Sequence, residues 1–204
     1  MVLRNWLMGV VGALALIGGA QAADMSLSFD ADAQGVTATG GTLAYEAGGY
    51  LAQTDIDGDN MSLYMPSSVL GNWSQFLGGT LSFDAINLSG VASDWGDFGQ
   101  VTLIGSGTQV TLDLATAASP GATWQTYAAT LDPAIWGANL SSVLSNVTGV
   151  SVVLESHNGF GPGNSEINGF DNFTVSAVPE PSTAVLMATG LALMVGVNRR
   201  RPRH

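Results

Sequence analysis

Three residue types are missing from the body of this chain. The 204 residues contain no cysteine, and residues 23–177 contain neither lysine nor arginine, because all five arginines lie near the two ends. Without cysteine there is no disulfide, no thiolate nucleophile and no cysteine-based zinc site, so stability must come from the hydrophobic core. Without basic side chains this part cannot neutralise phosphates, which excludes nucleic acid and anionic lipid head groups as its partners.

Carboxylates dominate the same region. The chain has sixteen acidic residues, of which only Glu180 lies outside residues 23–177, and the formal net charge of the whole chain is -11. His157 is the one side chain of this region that protonation could make cationic. Such one-sided charge keeps a domain soluble and attracts counter-ions, and divalent cations are obvious candidates.

The N-terminus has the pattern of a secretory signal peptide over residues 1–22. Arg4 supplies the charged start, residues 7–17 form an apolar run, and Ala20-Gln21-Ala22 matches a small-x-small cleavage site. The apolar run is short for a permanent membrane helix. We therefore expect export, with a mature chain that begins at about Ala23.

The C-terminus, residues 178–204, has three consecutive parts. Val178-Pro179-Glu180-Pro181 comes first, a hydrophobic segment at 182–197 follows, and a basic stop at 198–204 contains Arg199, Arg200 and Arg201. This order favours a single-pass membrane intermediate with the arginines on the cytoplasmic side, and the short segment suits a transient anchor.

These C-terminal residues resemble the PEP-CTERM sorting tail of Gram-negative bacteria. The resemblance implies that an exosortase reads and cuts the tail. It also implies delivery to the cell envelope, the cell surface or the extracellular polysaccharide matrix.

The pattern between the two ends, residues 23–177, is one of short strands separated by Gly, Asn, Asp and Ser. Alternation is clear where Leu81, Phe83 and Ala85, and again Val110, Leu112 and Leu114, would face a core. We predict an all-β sandwich, flanked by a signal helix and a hydrophobic C-terminal helix, with one short internal helix at 139–147. Trp73, Trp124 and Trp136 are interpreted as core residues. The ten predicted strands are 25–29, 42–45, 50–54, 61–64, 80–88, 100–104, 109–114, 124–131, 150–155 and 172–176.

Residues 27–176 resemble the laminin B (type IV) domain. The resemblance rests on residues 64–72, which include Met65-Pro66, on residues 77–84 with Leu81-Ser82-Phe83, and on residues 124–127, 144–150 and 167–173, in the order of that family. It implies a jelly-roll sandwich of galactose-binding-like type in extracellular matrix proteins, with no catalytic activity established for the module. Met65-Pro66 replaces the usual Ala-Pro and the cysteine-rich flanks of laminins are absent, so the fold is expected to carry over while the partner stays open.

Asp55, Asp57 and Asp59 alternate around Gly58, which is the type of ligand spacing that a calcium ion needs. The loop is not an EF-hand, because Pro66 occupies the twelfth position where a bidentate Glu should stand. Asp171, at the start of the last predicted strand, could join these residues or the early acids Asp30 and Asp32 in a nonlocal site with a structural calcium. The alternative is a polar turn, with Asp171 bonded to the strand backbone.

Trp95, between Asp94 and Asp97, is the predicted ligand-binding residue. An indole can stack on the face of a sugar while flanking carboxylates accept hydrogen bonds from hydroxyl groups. The alternative for Trp95 is packing inside the protein.

Glu155 and Glu166, with His157 and Asn158 between them, form the most plausible acid pair for a glycosidase. The alternative is an exposed loop between the last two strands. The signatures of serine hydrolases and phosphate-binding loops are absent. The sequence therefore favours an exported, non-enzymatic structural or binding module that contacts extracellular polysaccharide or matrix glycan, with calcium as a predicted structural ion. A secreted carbohydrate-active enzyme that uses surface carboxylates is the alternative.

Overall fold

Two antiparallel sheets contain the eleven strands of the part of the chain that the computed structural model describes, residues 24–115 and 118–178. The predicted signal peptide lies outside these residues, as do Pro179, Glu180, Pro181, the hydrophobic segment at 182–197 and the three arginines Arg199, Arg200 and Arg201. No helix among the described residues has the length and apolar character needed to cross a membrane.

The strands are β1 Met25–Leu27, β2 Thr37–Thr39, β3 Gly41–Glu46, β4 Tyr50–Asp55, β5 Ser62–Tyr64, β6 Thr80–Asn87, β7 Gln100–Gly105, β8 Thr108–Asp113, β9 Gln125–Thr130, β10 Val147–Val153 and β11 Ile167–Ser176, and the helices are α1 Pro133–Trp136 and α2 Leu140–Leu144. The large sheet has the strand order β3-β4-β11-β6-β9, with β1 paired to β11, and the small sheet has the order β2-β5-β10-β7-β8. The two helices connect β9 to β10, and 3-10 turns at Ser67–Val69 and Ser74–Phe76 precede β6.

The all-β jelly-roll prediction is confirmed, with local differences. β2 and α1 were not predicted from the sequence. A local signal for α1 exists, because Asp132 caps this helix by accepting a hydrogen bond from the Ala134 amide at 2.8 Å. β11 begins at Ile167 instead of residue 172, because Asn168 and Gly169 pair with β4 and β6 on both sides. Turn-forming residues are tolerated there because neighbouring strands satisfy their backbone groups.

The core lies between the sheets and is crossed by stacked aromatic rings. Leu81, Phe83 and Ala85 are fully buried, as the alternation in β6 predicts. The Phe83 ring stacks on Tyr127 at 5.4 Å and on Phe170 at 5.3 Å between centroids. These contacts join three neighbouring strands of the large sheet through one continuous apolar cluster.

The expectations for β8 and for the tryptophans hold only in part. Val110 is buried, while Leu112 and Leu114 are half-buried against the core. Trp73 and Trp136 are buried and donate their indole N–H to backbone carbonyls, at 2.9 and 3.0 Å. The assignment of Trp124 to the core is wrong, because its side chain is 42% exposed. Trp124 lies directly before the first residue of β9, and its side chain is on the face of the sheet that points away from the core.

Phe83→Ala should lower the free energy of unfolding by about 3–5 kcal/mol, since it removes a fully buried ring and leaves a cavity. Urea denaturation measures this change. Ser82→Ala, on the opposite face of the same strand, is the control and should change it by less than about 0.5 kcal/mol. A loss below about 1 kcal/mol for Phe83→Ala would contradict the central position of this ring in the core.

Candidate functional site

The predicted calcium residues do not converge. The Asp55 carboxylate accepts a bond from the Asp57 amide at 3.2 Å, and Asp57 accepts one from the Asp59 amide at 2.9 Å, which is turn chemistry. Asp171 lies elsewhere. The Asp55 amide donates to the Glu166 carbonyl, and Asp171 lies five residues further along, about 16 Å at the rise of a strand.

Asp171 therefore lies apart from Asp55, Asp57 and Asp59. Across residues 24–115 and 118–178, no group of three or more Asp, Glu, His or Cys side chains is arranged to hold a metal. Calcium binding at the Asp55–Asp59 turn stays a prediction.

The loop that carries Trp95 is fixed against the residues that follow β10. The amides of Asp94 and Trp95 donate to the Ser156 carbonyl at 2.8 and 3.0 Å. The Asp94 carboxylate accepts bonds from the Asn158 amide at 2.8 Å and lies 2.9 Å from His157 Nδ1. The Asn158 bond, helped by His157, lowers the pKa of Asp94. Asp94 is thus already engaged by the protein.

The Trp95 ring is half-buried, and its Nε1 is buried without a partner among the described residues. Asp97 is half-buried in the same loop, and its carbonyl accepts a bond from the Gln100 amide. Sugar contact at Trp95 stays a prediction.

Glu155 and Glu166 are buried, so the expectation of an exposed loop at these residues is wrong. Glu155 accepts a bond from the Met61 amide at 2.9 Å. Glu166 accepts bonds from the amides of Ser156 and His157 at 2.8 and 3.0 Å and from Asn168 Nδ2 at 2.7 Å. These bonds tie the β4–β5 and β10–β11 connections together. Both carboxylates serve as internal acceptors and do not face solvent as a glycosidase pair would.

Burial dominates the electrostatics of Glu155. The pKa of Glu155 is raised from the ordinary 4.5 to about 7, chiefly by desolvation, with a smaller contribution in the same direction from the charges of Glu166 and Asp55. The Met61 amide bond opposes it. Residues 24–178 contain no lysine or arginine, so no permanent cation offsets the negative charges of Glu155, Glu166 and Asp55.

The outer face of the large sheet carries an aromatic pair, the exposed Trp124 and the half-buried Tyr50. The ring of Trp124 meets the ring of Tyr50 edge-on, with centroids 5.4 Å apart and an interplanar angle of 73°. Leu88 beside them is 39% exposed, and Ile86 is half-buried. We call Tyr50, Ile86, Leu88 and Trp124 the aromatic platform.

Gly169 allows this platform to form. It lies in the centre of the sheet, between Ala52 on β4 and Ile86 on β6. A Cβ at residue 169 would lie 2.6 Å from Ile86 Cγ2 and 3.1 Å from Trp124 Cη2. The missing side chain therefore lets the indole of Trp124 lie close over the backbone of β11. Sequence alternation alone could have found the exposed indole, because an inward Tyr127 places Trp124 on the outer face.

A carboxylate pair lies next to the platform. Asp84 and Asp171 are direct partners in the β6–β11 register and share the outer face. Asn172 Nδ2 donates to Asp84 at 2.9 Å and to Asp171 at 3.3 Å, and the Thr126 hydroxyl donates to Asp84 at 2.5 Å. Burial raises the pKa of Asp171, the Asn172 amide bond lowers it, and the charges of Asp84 and Asp30 raise it further.

No protein-family model and no curated protein sequence matches this chain. Solved structures do match. An exo-β-agarase aligns with a TM-score of 0.56 and 14% identity over 79% of this chain and 25% of its own. A second agarase, AgWH50C, gives 0.54 and 13% over 75% and 26%. The L4b domain of human laminin α-2 gives 0.52 and 9% over 77% and 98%.

These likenesses establish the fold. The chain spans about a quarter of the length of the agarases that it matches, and nearly the whole of the laminin domain. The resemblance to the laminin B domain is confirmed at the level of the fold.

Acidification from pH 8 to pH 5 should stabilise the protein through Glu155. Because the folded state raises the pKa of this carboxyl, folding takes up a proton between pH 4.5 and about 7, so stability is greatest at the acid end and falls as the pH rises through this window. Melting temperatures across this range measure the effect.

Glu155→Gln should raise the melting temperature at pH 8 and flatten its pH dependence, since the amide keeps an acceptor for Met61. Glu46→Gln is the matched control and should keep the wild-type profile. An unchanged pH profile in Glu155→Gln would show that another group is responsible.

Proposed function

We propose that residues 23–177 form a non-catalytic module that binds extracellular polysaccharide. The observation that carries this proposal is the exposed ring of Trp124, packed against the half-buried ring of Tyr50 on the outer face of the large sheet. Aromatic rings stack on the apolar faces of sugar rings, and nearby polar groups fix the orientation of the ligand.

The ring of Trp124 is packed against its neighbours on the sheet. Tyr50 contacts one side of the Trp124 ring, and the backbone at Gly169 leaves the space in which the ring lies. A ring that is already held in place loses little conformational freedom on binding, so more of the contact energy becomes affinity. The contrast with Trp73 and Trp136, which are both buried with bonded indoles, marks Trp124 as a surface residue with a different role.

The shared fold supports the same function. The two agarases, enzymes that act on a polysaccharide, contain this sandwich over about a quarter of their chains. The alternative, a secreted carbohydrate-active enzyme that uses Glu155 and Glu166, is disfavoured by the contacts of these residues. Both carboxylates are buried and bonded to backbone amides.

Polysaccharide binding should depend on Trp124. In affinity electrophoresis with soluble neutral polysaccharides such as xylan and low-melting agarose in the gel, the protein should be retarded. Trp124→Ala should weaken binding by at least about tenfold, or ~1.4 kcal/mol, since it removes a central ring of the contact surface.

Phe160→Ala removes a ring that is 54% exposed in the β10–β11 connection and is the matched control. It should bind like the wild type. Trp95→Ala tests the competing residue. Retained binding in Trp124→Ala together with loss in Trp95→Ala would move the site to the β6–β7 loop, and no retardation of the wild type by any polysaccharide would refute the function.

Export through the PEP-CTERM-like tail is the second part of the proposal, with an exosortase as the partner that cuts the tail and the envelope, the cell surface or the extracellular matrix as the destination. Mass spectrometry of the protein recovered from the producing cell should show a chain that begins at about Ala23 and ends near Val178. Glu180→Ala should retain the tail if the motif is read. An intact chain with Arg4 and the terminal arginines would contradict this part.

A further inference from the structure

The carboxylate pair has no evident structural benefit. Asp84 and Asp171 stand directly opposite each other on neighbouring strands, with Asp30 close enough to raise the pKa of Asp171 further. Like charges in this arrangement destabilise a sheet. No lysine or arginine exists between residues 24 and 178 to compensate. A position that works against the stability of the fold is a candidate for binding.

Neutral donors hold the two carboxylates in fixed orientations. Asn172, at φ 51° in the irregular stretch of β11 between Asp171 and Thr174, donates its side-chain amide to both, and its backbone amide donates to Asp171 at 2.7 Å. Thr126 supplies a further bond to Asp84. Each carboxylate therefore accepts two bonds from the protein, whereas an ionised carboxylate has about four acceptor positions. Acceptor capacity remains on both side chains.

The pair lies one step along the strands from the platform. Thr126, opposite Asp84, is two residues from Trp124, and Asp84 is two residues from Ile86. Two residues of a strand span about 7 Å. A polysaccharide that stacks one sugar on Trp124 therefore brings the hydroxyls of the adjoining sugar over Asp84 and Asp171.

We propose that Asp84 and Asp171 form a hydroxyl-accepting subsite beside the aromatic platform, and that the ligand is an uncharged polysaccharide. This inference rests on the proposed function and adds the ligand class. Sugar hydroxyls donate to the free positions of the two carboxylates. A polymer that bears carboxylates or sulfates brings like charge to a surface with no cation to receive it, and is rejected.

The test uses the full chain and two polymers with the same backbone, hydroxyethyl cellulose and its anionic counterpart carboxymethyl cellulose, beside xylan and agarose. Affinity electrophoresis gives the dissociation constants. The wild type should bind at least one neutral polymer and discriminate against the anionic one. The double variant Asp84→Asn, Asp171→Asn should bind the neutral polymer about tenfold more weakly, because charge-assisted bonds become neutral ones. Its discrimination against the anionic polymer should shrink.

Two controls separate binding from folding and from net charge. The double variant Asp113→Asn, Asp132→Asn changes the charge equally at two exposed residues away from the pair, and should bind like the wild type. Melting temperatures should rise in Asp84→Asn, Asp171→Asn, since the repulsion is removed, so that weaker binding cannot be ascribed to unfolding.

Each contrary outcome has a distinct meaning. Unchanged affinity in Asp84→Asn, Asp171→Asn while Trp124→Ala loses binding would overturn the subsite and leave the proposed function intact. Equal wild-type affinity for the neutral and the carboxymethylated polymer would overturn the uncharged ligand class. Binding that requires calcium and disappears with chelator would replace direct hydroxyl contact by a bridging ion. A wild type that binds no polymer would overturn the subsite and the proposed function together.

Discussion

The lack of basic side chains between residues 24 and 178 is the constraint on which this structure depends. A buried carboxylate in most proteins can pair with lysine or arginine, whereas here only neutral donors and His157 are present. Glu166 is held by two backbone amides and Asn168, and Glu155 by the Met61 amide. The connections at this end of the sandwich are consequently held together by acid side chains. The pKa of Glu155 stays raised because its bond from the Met61 amide offsets only part of the effect of burial.

The same constraint applies on the outer face of the large sheet. Asn172 and Thr126 support Asp84 and Asp171 in the way that amides support the buried acids. The result is a surface that offers acceptors and an aromatic platform but no permanent positive charge. Such a surface suits a ligand rich in hydroxyl groups and poor in charge. Gly169 connects fold and function, because a side chain there would displace the indole that we assign to the ligand.

Local pattern was sufficient for the sandwich and for most of its strands. The alternation of Leu81, Phe83 and Ala85 predicts the buried face of β6 correctly, since a strand periodicity needs no knowledge of neighbours. The start of β11 was missed because Asn168 and Gly169 are turn formers by local preference, and only pairing with β4 and β6 makes them strand residues. The alternation rule applied from Tyr127 places Trp124 on the outer face. The prediction of a core position was wrong because it relied on the strand-like neighbours of Trp124 and not on this alternation.

Contacts between distant residues explain the remaining differences. Glu155 and Met61 are 94 residues apart in the sequence, so no spacing rule could indicate that one binds the amide of the other. Asp84 and Asp171 become neighbours only through the register of β6 with β11. The separation of Asp171 from Asp55 likewise follows from the sheet register and could not be read from the sequence, and calcium binding stays a prediction.

A titration of isotopically labelled protein with a neutral oligosaccharide, followed by the indole N–H and backbone amide signals in NMR, tests ligand binding at the aromatic platform. The signals of the Trp124 indole and the Gly169 amide should shift with increasing ligand, while those of the buried indoles of Trp73 and Trp136 should not. Saturable binding that shifts only Trp95 and residues 156–158, with Trp124 and Gly169 unchanged, would contradict it.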